Sequence, residues 1–102
     1  MNAKDELIRD LERIGNIPIK CAIVFYGDTE LSDLKCNYTK TSELSFYLRL
    51  NIEYDDTKVS TPKINGRIWL SNGEWLEKSR NDRGWQHKHC PDIPKFLKDE
   101  EK

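Results

Sequence analysis

Leu7, Leu11 and Ile14 recur at the i, i+4 and i+7 spacing of one helical face, and Ile8 widens the stripe. Lys4, Arg9, Asp10, Glu12 and Arg13 charge the remaining face. Asn2 is placed to cap the first turn, and Asp5 and Glu6 suit the positive end of the helix dipole. Gly15 and Pro18 stop the run. The pattern predicts a helix over about residues 3–14 with one face buried on a sheet and one in water.

Periodicity then switches to two. Ile19, Cys21, Ile23 and Phe25 alternate with Lys20, Ala22, Val24 and Tyr26, which predicts a strand over 19–26. Both of its faces turn apolar toward the end, as a central strand requires. Gly27-Asp28 breaks it. In the polar stretch that follows, Leu34, Cys36 and Tyr38 fit a short edge strand and an irregular loop equally well. Over 43–54, Leu44, Phe46, Leu48, Leu50, Ile52 and Tyr54 alternate with Ser45, Tyr47, Arg49, Asn51 and Glu53. Strict alternation predicts a long strand there with one core face and one wet face. Asp55-Asp56-Thr57 reads as a turn, and Pro62 reduces Lys58 to Ile64 to an edge strand or a loop.

Asn72-Gly73 lies between two apolar runs and marks a tight hairpin, with strands over 66–71 and 74–79. A two-residue loop would set Leu70 opposite Trp75 and Trp69 opposite Leu76, one tryptophan on each face. After a second turn at Arg80 to Gly84, Trp85 to Cys90 returns as a last strand over 84–90, with Trp85, His87 and His89 on one side. Pro91 and Pro94 end it, and Ile93, Phe96 and Leu97 tack the chain onto the core. The expected fold is a single α+β domain over 1–102, a mostly antiparallel sheet of about five strands with one N-terminal helix packed on a face.

Composition adds limits rather than chemistry. Hydrophobic residues make up 36% and charged residues 34%, so the three Trp, four Tyr and three Phe must supply much of the buried area. A net charge of −1 gives no global attraction to nucleic acid or an anionic membrane. Bases do gather over 78–98, in Lys78, Arg80, Arg83, Lys88, Lys95 and Lys98. The charged start lacks an apolar signal segment, no run is long enough to span a membrane, and the cysteines are the odd set Cys21, Cys36 and Cys90. A reduced, cytoplasmic protein is the expectation.

His87-Lys88-His89-Cys90 is the one cluster of ligand-type side chains. Two histidines on one side of a strand could face a zinc ion, but a tetrahedral site needs three or four ligands, and Cys90 would point the other way. Surface histidines are the simpler reading. A cysteine–histidine nucleophile, an Asp55-Asp56 carboxylate pair and the common phosphate-binding or hydrolase motifs find no support in spacing. No catalytic residue and no cofactor is expected.

Tryptophan, tyrosine and arginine are the usual anchors of protein interfaces. Trp75, Trp85, Arg80 and Arg83 are therefore the candidate contact residues, with Tyr26, Tyr38 and Tyr47 at outward or edge positions. An aromatic, basic sheet face also suits stacked bases of a single strand.

The run Gly66-Arg67-Ile68-Trp69-Leu70-Ser71-Asn72-Gly73-Glu74-Trp75-Leu76-Glu77, the strand bearing Trp85, and Pro91-Asp92-Ile93-Pro94 through Leu97 resemble the tail of small uncharacterised bacterial and phage-associated proteins. The likeness covers about a third of the chain, and it departs at Arg80 to Gln86, where such proteins carry an acidic, doubly aromatic segment. It implies no activity and no functional residue, only an accessory protein acting on a larger partner.

The expected function is thus non-enzymatic binding: an inhibitor or adaptor of phage or prophage origin, acting on an unidentified protein partner or on a second copy of itself. A single-stranded nucleic-acid-binding module is the alternative, and a zinc or enzymatic site at His87 and His89 a further one.

Overall fold

The computed structural model describes residues 1–55, 57, 61–80 and 82–89. Helix α1 runs from Ala3 to Arg13. Asn2 caps it as expected, its Oδ1 accepting the Asp5 N–H at 3.1 Å. At the other end the Asn16 N–H returns to the Leu11 carbonyl at 2.9 Å and the Gly15 N–H to Glu12 at 3.1 Å. This pair of bonds is the Schellman closure that a following glycine permits. Ala3, Glu6, Leu7, Asp10 and Leu11 form the buried stripe.

Five antiparallel strands make one sheet in the order β2-β1-β3-β4-β5. They are β1 (Ile19–Tyr26), β2 (Thr29–Leu34), β3 (Ile64–Leu70), β4 (Trp75–Lys78) and β5 (Gln86–Lys88). β1 is interior, between β2 and β3, as its two apolar faces required. Ala22, Val24, Leu34, Ile64, Ile68, Leu70 and Leu76 are buried on one face of the sheet, in a core shared with Ala3, Leu7 and Leu11 of α1. The α+β architecture with an N-terminal helix on an antiparallel sheet is therefore as expected.

The long strand expected over 43–54 is not formed. Its first half is a second helix, α2 (Lys40–Arg49), and β2 lies upstream at Thr29–Leu34 instead of around Leu34 to Tyr38. The leucines at even positions satisfy two periods at once: Phe46 and Leu50 are four apart and buried, while Leu44 and Leu48 are four apart and 69% and 73% exposed. Thr39 decides for the helix by accepting the Ser42 N–H at 3.2 Å, with Glu43 in the first turn. The buried Ser32 hydroxyl donates to the Phe46 carbonyl at 3.2 Å and fixes α2 beside β2. The second half of the segment is extended only locally. Ala3 N–H bonds to the Ile52 carbonyl and Tyr54 N–H to the Met1 carbonyl, both at 2.9 Å, around the isolated bridge Asn2–Glu53.

The last strand is also shorter than 84–90, and Trp85 precedes it in the core at 2% exposure. Cys90 and the segment carrying Pro91, Ile93, Pro94, Phe96 and Leu97 lie outside the described residues. No helix among the described residues is long and apolar enough to cross a membrane.

Candidate functional site

The hairpin register decides which side chains share a face. Trp69 pairs with Trp75 and Ile68 with Leu76, one residue away from the pairing expected of a two-residue loop. The turn holds three residues instead. The Gly73 N–H bonds to the Leu70 carbonyl at 3.2 Å, the Leu70 N–H bonds to the Glu74 carbonyl at 2.9 Å, and Gly73 takes φ 88°. This is a type I turn closed by a left-handed bulge residue, the position where glycine is favoured. The Asn72 side chain completes it by accepting the Glu74 N–H at 3.0 Å. Both hairpin tryptophans therefore lie on the same face, and the expectation of one on each face is corrected.

That face is the one turned away from the helices, and none of the described elements packs on it. Cross-strand pairing arranges it in rows. One row reads Lys88, Trp75, Trp69, Cys21 from β5 to β1; the next reads Gln86, Glu77, Arg67, Ile23, Asp33 from β5 to β2. Phe25 and Asn65 begin a third. Arg67 forms an ion pair with Glu77. Its guanidinium also lies 5.8 Å from the Trp69 ring centre and 5.9 Å from that of Trp75, within cation–π range of both. Trp69 is 37% exposed, and Trp75 is half-buried with no hydrogen-bond partner for its indole N–H among the described residues. Ile23, Phe25, Asn65, Arg67, Glu77 and Arg80 line a shallow groove along the face.

Of the residues proposed from sequence, Trp75 is on this face. Arg80 is exposed at its margin and paired with Asp28. Arg83 is exposed in the loop before β5. Trp85 is not on this face: it is packed in the core, and its backbone N–H donates to Asp10 at 2.8 Å. Tyr26, Tyr38 and Tyr47 are half-buried against the core, and Tyr38 donates to the Ile19 carbonyl at 2.6 Å. Trp69 and Arg67 share this face with Trp75 because the turn is one residue longer than the two-residue loop, which would put Trp69 on the other face. The signal for the longer turn was the Ser71-Asn72-Gly73 triplet, with glycine third.

His87 and His89 stand with ring centres 6.3 Å apart, and His87 Nε2 lies 2.9 Å from Glu74 Oε1. Hydrogen bonds from Asn72 first, then His87, hold the Glu74 carboxyl below its usual range. Among the described residues no group of three or more His, Cys, Asp or Glu side chains is arranged to hold a metal ion.

A second polar cluster sits beneath α1. Glu6 and Asp10 are buried; Tyr54 donates to Glu6 Oε1 at 2.5 Å, and the buried Lys78 ammonium donates to the Asp82 carbonyl at 2.8 Å while lying 5.7 Å over the Tyr54 ring. Arg13 Nη2 is 2.9 Å from Asp10 Oδ1. These groups bind one another and the loop before β5, which makes the cluster a clamp between α1 and the sheet.

Comparison of the chain with protein-family models, with curated proteins and with solved structures finds no match to any of them.

Proposed function

We propose that this chain is a non-enzymatic binding protein, an inhibitor or adaptor, and that its interface is the sheet face turned away from the helices and centred on Trp69, Trp75 and Arg67. The observation that carries this reading is the direct pairing of Trp69 with Trp75 beside Arg67, on a face where no described element packs. Rigid strands hold these large side chains in place before binding, so little side-chain entropy is lost on docking. Aromatic and arginine anchors of this kind dominate the energetics of protein interfaces.

The charges favour a protein partner over a nucleic acid. Arg67 is paired with Glu77, Arg80 with Asp28, and Asp33 lies in the same row as Arg67. A phosphate backbone requires a surplus of unpaired cations, and its binding weakens steeply with salt. A face with both signs interleaved suits the mixed rim of a protein interface.

The test compares wild-type protein with Trp69→Ala/Arg67→Ala as immobilised bait in lysate of the source organism, with and without nuclease treatment. A protein retained by the wild type and lost by the double variant supports the reading. Capture that is unchanged by the variant, or that disappears with nuclease, overturns it; the latter result, with a steep salt dependence on oligonucleotides, would mark single-strand binding instead.

A further inference from the structure

We propose that the open edge of β2 and the neighbouring face of α2 form a groove that takes an extended acidic segment of a partner protein as an added strand. Among the described residues β2 pairs with β1 alone and ends the sheet. The Gly27 N–H bonds to the Lys63 carbonyl at 2.8 Å, in the register that pairs Phe25 with Asn65 and Ile23 with Arg67. Backbone groups alternate sides along an antiparallel strand, so those of Ala22 and Val24 turn the other way, to β2. Their partners Leu34 and Ser32 direct their own N–H and C=O groups back to β1. Asp33, between those two, turns its N–H and C=O out to the edge, where an added main chain would extend the ladder.

The chain reverses at Cys36-Asn37, and α2 runs back beside β2 with the Phe46 carbonyl at the Ser32 hydroxyl. Between the two elements lies a cavity of about 370 Å³, lined by Leu34, Lys35, Asn37, Thr41, Ser45 and Arg49. Thr41, Ser45 and Arg49 follow one another at i, i+4 and i+8, so α2 gives the groove a continuous polar wall. Asp33 also borders it, but its side chain belongs to the row with Ile23 and Arg67 on the other face. Lys35 and Arg49 therefore supply the charge of the groove, and neither is ion-paired among the described residues. Measured from the Ser32–Phe46 contact, Lys35 lies ~10 Å along the strand in one direction. Arg49 lies ~4.5 Å along the helix in the other. An extended segment with two carboxylates about four residues apart on one face would meet both cations. A second copy of this chain is the poorer occupant: its β2 would bring its own α2, Lys35 and Arg49 to the same groove, cation against cation. The groove lies on different elements from Trp69 and Trp75, and its assignment does not rest on the role proposed for them.

The experiment pans a phage-displayed library of random octapeptides on native, full-length protein. Enriched sequences are then measured as end-capped synthetic peptides by fluorescence anisotropy. They are expected to carry Asp or Glu at two positions four apart. Binding should weaken at least about tenfold in Lys35→Glu/Arg49→Glu. It should disappear in Ser45→Trp, where the larger side chain fills the groove. Lys35, Ser45 and Arg49 are exposed, so both variants should melt as the wild type does. N-methylation of alternate peptide amides should abolish binding in one phase and spare it in the other, the mark of main-chain pairing. Trp69→Ala/Arg67→Ala should bind the peptides unchanged, which separates this groove from the tryptophan face. The assignment is overturned by a library that yields no enriched peptide, by enriched peptides without the paired acids, or by methylation tolerated in both phases. Binding that survives Ser45→Trp, or that is lost in Trp69→Ala/Arg67→Ala, overturns it too. So does a dimer in sedimentation that Ser45→Trp converts to monomer, since that would make a second copy the occupant.

Discussion

The carboxylate of Asp10 on α1 accepts the backbone N–H of Trp85 at 2.8 Å, joining two residues 75 positions apart. The bond holds the loop before β5 against the helix and buries the Trp85 ring. Asp10→Ala would leave a buried N–H without a partner and Arg13 without its carboxylate. The expected cost is about 2–4 kcal/mol of unfolding free energy, read from urea titrations. Asp10→Asn keeps an acceptor and should lose only about half as much.

The tryptophans should divide by accessibility. Trp85 is 2% exposed and Trp69 37% exposed. Trp85→Ala is expected to destabilise by about 3–5 kcal/mol, and Trp69→Ala by less than about 1 kcal/mol. Acrylamide quenching checks the assignment independently. Trp69→Phe should remove much of the quenchable emission, whereas Trp85→Phe should leave that fraction unchanged.

Gly66 of β3 pairs with Val24 of β1 and takes φ 146°. A Cβ there would stand 2.2 Å from the Ile23 carbonyl oxygen. Backbone on an interior strand has no room to retreat, so Gly66→Ala should cost more than about 3 kcal/mol or prevent folding. A variant with wild-type melting behaviour would show that the two strands do not meet as described.

Alkaline stability should depend on Tyr47. Burial first, then Glu43 and Tyr38, pushes its phenol up to about 12 from 10.0. A raised folded-state pKa means the neutral form is favoured in the fold. Its contribution is complete below pH 10, declines as the unfolded chain ionises first, and is lost once pH passes about 12. Tyr47→Phe should flatten the fall in unfolding free energy across that window. Tyr38 is shifted in the same direction by burial, so part of the slope should remain.

Local signals made much of the fold readable in the chain. Asn2, the Leu7–Leu11 stripe and Gly15 defined α1 because cap, face and stop agreed, and β1 was recognisable from two apolar faces. The 43–54 segment misled because leucines at every second position are also leucines at every fourth. What separates strand from helix there is the Thr39 cap together with tertiary contacts: Ser32 gives Phe46 a partner, and Leu44 and Leu48 are left in water. The candidate site was half readable. Trp75 and Arg80 belong to the face or its margin, but Trp69 and Arg67 depended on one residue of turn length. Trp85 depended on Asp10, whose charged side chain read as solvent-facing and is buried instead.

The three-residue turn of the β3–β4 hairpin acts as a parity setting. Deleting one of Ser71, Asn72 or Gly73 would advance β4 by one position, sending Trp75 toward the helices and Leu76 toward solvent. Interior and recognition surface would exchange members together, although every strand residue remained the same. Substitution within this loop should therefore be tolerated more readily than any change in its number of residues.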